Sequence, residues 1–137
     1  MPTSLWLNLP VRDLAASRTF FKALGFTFND KHGQPALVCM ALGQPPVYVN
    51  LFPAAAFASM AGAPVADTRG SAETMVSLGA ASRAEVDEIT ARARAAGAHV
   101  FGEPAEVQGW MYGSGFTDLD GHRWNILYMD MARLPKG

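Results

Sequence analysis

The chain has 137 residues, half of them hydrophobic and 17% charged, with a formal net charge of -1, as expected for one globular domain with a substantial core and no disordered tract. Eleven basic residues stand among twelve acidic ones without forming a stripe, so nucleic acid is not an expected partner. The longest apolar run, PAAAFASMAGAP at 53–64, is broken by Gly and Pro and falls short of the roughly 20 residues a membrane span needs, and the single cysteine, Cys39, excludes an intrachain disulfide.

Along the chain, residues 4–11 (SLWLNLPV) alternate, as a strand does, with Leu5, Leu7, Leu9 and Val11 on one face and Trp6, Asn8 and Pro10 on the other. The start lacks a basic n-region, so no leader is expected and a reducing cytoplasm is the natural setting. Asp13 is placed to cap a helix whose face carries Leu14, Ser17, Phe21 and Leu24, with Phe20 beside it, and Gly25 is placed to end it. Strands are expected at about 26–31, 36–42 and 46–52, divided by the turn sequences KHGQP and GQPP. Gly, Ala, Pro and Asp from 61 to 70 read as a linker between a first module at about 3–60 and a second at about 71–131.

The second module repeats the order of the first. A strand is expected at 72–79; Ser82 and Glu85 form a capping box; Val86, Ile89, Ala93 and Ala96 supply the apolar stripe; and Gly97 closes the helix. Strands follow at about 98–107, 109–117 and 123–130, the last two joined by a turn from Asp118 to Gly121. Gly25 and Gly97 lie 72 residues apart, a spacing that marks two copies of one β-α-β-β-β unit and an α+β fold.

In the four strands that bound these units, the pleat separates an apolar set from a mixed set. The apolar set is Leu5, Leu7, Leu9; Val47, Val49, Leu51; Thr74, Val76, Leu78; and Trp124, Ile126, Tyr128, all expected beneath helices. The mixed set is Trp6 and Asn8; Tyr48, Asn50 and Phe52; Glu73, Met75 and Ser77; and Arg123, Asn125 and Leu127. If these faces look inward, they suit a small-molecule pocket, since buried polar groups need partners that a ligand can provide. The alternative is a sheet face that meets water.

The stretches LNLPVRDLAASRTFFKALGFTFN, SRAEVDEITARARAAGAHV and WMYGSGFTDLDGHRWNILYMD together resemble the vicinal oxygen chelate superfamily, which includes glyoxalase I, bleomycin-resistance proteins and extradiol dioxygenases. The resemblance implies two tandem β-α-β-β-β modules forming a U-shaped mixed sheet around a cleft, usually in a homodimer. It also implies a divalent metal held by one residue from the first and last strands of each module, and these positions fall here on Trp6, Asn50, Glu73 and Asn125. That set is chemically poor for Zn, Ni or Fe: Trp6 has no donor, the two amides are neutral, and one carboxylate is too few. His32 falls in the KHGQP turn, His99 at a strand start and His122 in the terminal hairpin, where a turn role competes with ligation.

The expected function is therefore a glyoxalase/bleomycin-resistance-like protein that binds a small amphipathic molecule, with no cofactor; a divalent metal is the alternative. In a second reading, a lyase or isomerase, Glu73 acts as general base, its competing role being a salt bridge to Arg123 or a hydrogen bond to an asparagine. Trp110 and Tyr112 are expected either to line the cleft or to meet a dimer partner. Asp118 and Asp120 read as turn formers and Cys39 as an inert buried thiol.

Overall fold

A computed structural model describes residues 2–30 and 36–135. The KHGQP turn and His32 lie outside the described residues. The chain divides into two compact units, Met1–Asp67 and Thr68–Gly137.

The first unit begins with β1 (Trp6–Val11), after which Asp13 accepts the amide of Ala16 at 3.0 Å and starts α1 (Leu14–Ala23). Gly25 follows with φ of 90°, a left-handed geometry that costs a glycine little. Next come β2 (Thr27–Phe28), β3 (Val38–Leu42) and β4 (Val47–Pro53), in the sheet order β1-β4-β3-β2. The β1–β4 pair is parallel and the other pairs are antiparallel. Leu9, Val49, Leu51, Val38 and Met40 share the face that packs with Phe20, Phe21 and Leu24 of the α1 region, and all are buried. Two residues expected on this face are instead exposed: Leu5, which precedes the strand, and Val47 at the start of β4.

The apolar run after β4 forms a helix that periodicity does not announce, α2 (Ala54–Ala61), resting on β1 and β4 and closed by Gly62. Alanine is the strongest helix former, and the helix forms with no buried residue and no side-chain cap.

The second unit repeats the plan: β5 (Met75–Gly79), α3 (Arg83–Ala95), β6 (His99–Val107), β7 (Met111–Thr117) and β8 (Arg123–Met129), followed by a short 3-10 turn at Met131–Arg133. Its sheet order is β5-β8-β7-β6, with β5–β8 parallel and the rest antiparallel. Ser82 caps α3 by accepting the amide of Glu85 at 3.1 Å. Val86, Thr90 and Ala93 of α3 are buried with Phe116, Trp124 and Ile126 of the sheet, and Thr90 shares a 2.6 Å hydrogen bond with Ser114. Both units are thus mixed four-stranded sheets in the tandem β-α-β-β-β arrangement of an α+β fold. Among the described residues no helix is long and apolar enough to cross a membrane.

Candidate functional site

In each unit the sheet face turned away from α1 or α3 carries the mixed side chains, and the strand register fixes which of them are neighbours. On the first unit Asn8 stands directly opposite Asn50, and Asn50 opposite Cys39, so one polar row crosses three strands. The Asn50 Nδ2 donates to Asn8 Oδ1 at 3.2 Å. Trp6 opposes Tyr48, and Pro10 opposes Phe52; Trp6 is 51% exposed. Cys39 is buried, and burial pushes its thiol pKa up, away from the nucleophilic thiolate.

The second unit has a matching row. Ser77 opposes Asn125, and Asn125 opposes Gly115. The Ser77 hydroxyl donates to Asn125 Oδ1 at 3.0 Å, and Asn125 Nδ2 donates to the Ser114 carbonyl at 3.0 Å. Met75 opposes Arg123, and Leu127 opposes both Gly79 and Gly113. Strands β1 and β4, and again β5 and β8, thus each present a bonded polar pair at their parallel seam, amide to amide in one unit and hydroxyl to amide in the other.

Glu73, expected on this face, and Tyr112, expected at the cleft or at a dimer partner, both lie off it. Glu73 does not belong to a strand, because β8 begins at Arg123 opposite Met75 and offers no partner beyond it. It sits in an exposed bend. Tyr112 lies on the opposite face. It pairs with Tyr128 and shares its side with Ser114, and its hydroxyl donates to Asp87 of α3 at 2.6 Å. That hydrogen bond to a carboxylate is the main cause of its raised pKa. The Arg83 guanidinium lies over the same ring at 5.2 Å, and it also pairs with Glu106. Trp110 is half-buried in the β6–β7 turn, where its carbonyl accepts the Asp130 amide at 2.8 Å.

Phe101, to which the sequence assigns no role, and Asp118, expected only as a turn former, prove informative. Phe101 lies where the β6–β7 register shifts, and its ring covers Gly115; a Cβ on Gly115 would stand 2.4 Å from it. Alternating glycines at 113 and 115 were the available signal, since a strand glycine often marks a close approach. Asp118 does more than form a turn. It is buried, its Oδ1 accepts the amides of Asp120 and His122 at 2.9 and 3.0 Å, and its Oδ2 accepts Trp124 Nε1 at 3.0 Å. His122 therefore belongs to a built hairpin. Among the described residues no three His, Cys, Asp or Glu side chains come together as a metal site.

This repeated unit, with its parallel seam between first and last strands, is the tandem β-α-β-β-β class. Residues 3–43 match the family described as bleomycin resistance protein-like N-terminal. Among solved structures, a hypothetical protein from S. aureus is 37% identical, covering 93% of this chain and 94% of its own at a TM-score of 0.82. A glyoxalase/bleomycin resistance protein/dioxygenase from Nocardioides is 26% identical, with 100% and 89% covered and a TM-score of 0.71. A glyoxalase/bleomycin resistance protein/dioxygenase family enzyme from Burkholderia phytofirmans, 17% identical, has the same fold at a TM-score of 0.76, with 90% and 96% covered. No curated protein matches the sequence. The family match over residues 3–43 and these neighbours are consistent with the vicinal oxygen chelate superfamily and its glyoxalase and bleomycin-resistance relatives.

Proposed function

We propose that this protein binds a small amphipathic molecule on its mixed sheet faces and does so without the four-ligand metal site associated with the superfamily. The observation that carries this reading is the engagement of the two amides at metal-ligand positions. Asn125 Oδ1 already accepts the Ser77 hydroxyl and its Nδ2 holds the Ser114 carbonyl, while Asn50 is bonded to Asn8. A divalent ion would have to displace such bonds to reach neutral oxygens, with little charge in return. Trp6 adds no donor, and Glu73 stands in an exposed bend. The donor set does not fit a transition metal.

On the first unit two amides lie beside exposed Trp6, and on the second a hydroxyl and an amide lie beside exposed Met75, and each face favours a ligand with both polar and apolar surface. No observation favours Glu73 as a general base. The test combines metal analysis after dialysis with thermal-shift screens over divalent ions and small organic molecules. The expected outcome is no stoichiometric metal, with a stabilisation by organic ligands that Asn125→Ala abolishes. A transition metal retained at one per chain would overturn the reading.

A further inference from the structure

We infer that the second unit carries an oxyanion subsite anchored by Arg123, so that the ligand is an organic anion with an apolar body; this rests on the small-molecule reading above. Arg18, Arg83, Arg92, Arg94 and Arg133 each have a carboxylate partner. Arg123 has none among the described residues. Its guanidinium instead lies 4.6 Å from the centroid of the Phe101 ring. A guanidinium over an aromatic ring can turn its N–H edge outward, the edge that grips a carboxylate or phosphate with two parallel hydrogen bonds.

The surroundings hold that geometry in place. Gly115 supplies the flat seat beneath Phe101, because any side chain there would collide with the ring. Asn125 lies two residues along the same strand face, roughly 7 Å away at the rise of a strand. Its orientation is set by Ser77 and the Ser114 carbonyl, and it uses one of its two amide hydrogens there, keeping the second as a donor. Phe101 and Met75, 43% and 56% exposed, flank the guanidinium with apolar surface. This combination of a half-buried cation without a carboxylate, a fixed amide donor and exposed apolar side chains is complementary to an anionic head on an apolar body.

The competing role is a clasp in which Arg123 merely holds Phe101 to the sheet, and it predicts no preference for charge. The test is a ¹H–¹⁵N NMR titration of the full chain at low salt with benzoate, phenyl phosphate and neutral benzamide. Benzoate or phenyl phosphate is expected to shift the Arg123 side-chain signal and the amides of Gly115 and Asn125, with at least tenfold tighter binding than benzamide. The stronger of the two anions tells carboxylate from phosphate. Arg123→Gln is expected to weaken anion binding at least tenfold and to erase the preference over benzamide. Phe101→Leu, which keeps the charge but not the stacking plane, is expected to weaken it several-fold while the spectrum stays folded. Unchanged anion binding in Arg123→Gln, or benzamide binding as tightly as benzoate, overturns the subsite. If benzamide alone shifts these signals, the subsite fails and the small-molecule reading stands; if none of the three probes does, both fail.

Discussion

The carboxylate of Asp118 and the indole of Trp124 are joined by a 3.0 Å hydrogen bond from Nε1 to Oδ2, while the other carboxylate oxygen holds two backbone amides of the turn. Three donors converge on one buried anion, and Trp124 is itself fully buried. Asp118→Ala orphans all three, and a loss of about 3 kcal/mol is expected in urea unfolding, since hydrogen bonds to charged groups and buried unsatisfied donors are costly. Asp118→Asn, which keeps an acceptor but no charge, is expected to lose less.

The same residue sets a pH dependence. Burial raises the pKa of Asp118, opposed by the His122 charge and by the hydrogen bonds from Trp124 and the turn amides. The folded state therefore takes up this proton more readily than the unfolded chain, whose carboxyl titrates near 3.9. Between that value and the raised folded pKa, the carboxyl's contribution to stability falls as pH rises. The stability of the parent relative to Asp118→Asn is thus expected to be greatest at low pH and to decline upward through this window. Denaturation of both proteins at several pH values from about 4 to 7 checks the sign.

Gly115 and Phe101 form a second coupled pair. Adding a methyl group at 115 forces the ring from its seat, and Gly115→Ala is expected to destabilise by about 1–3 kcal/mol. With Phe101→Ala already present the ring atoms nearest the new methyl are gone, and the same change is expected to cost much less. A double-mutant cycle in urea reads this difference directly; simple additivity would contradict it.

Cys39 lies in the polar row beside Asn50 yet is buried, with its thiol pKa raised by desolvation. Alkylation in native buffer is expected to be slow and to accelerate steeply across the unfolding transition. Fast labelling of the folded chain would show that the thiol is reachable.

Much of this architecture was legible in local signals. Asp13 and Gly25, then Ser82 with Glu85 and Gly97, delimit two helices through backbone chemistry that depends on a few neighbouring residues. Alternation located β1, β4 and β8 closely, and β5 over its second half, so that Asn8, Asn50, Ser77 and Asn125 fall on the faces expected for them. What failed depended on partners. Glu73 alternates as a strand residue would, but the neighbouring strand ends opposite Met75. Tyr112 pairs with Tyr128 on the helix side of the sheet, a placement set by the β7–β8 register and not by its own neighbours in sequence. The Ala54–Ala61 helix buries no residue and so has no apolar stripe to announce it. The placement of Phe101 depends on an irregular register that no period describes.

The repeated seam carries an evolutionary consequence. Because Asn8 with Asn50 and Ser77 with Asn125 occupy equivalent places in two separately hydrogen-bonded sheets, a substitution in one pair leaves the pairing of the other sheet untouched. A chain built this way can change the chemistry of one sheet face while the other keeps its bonded pair.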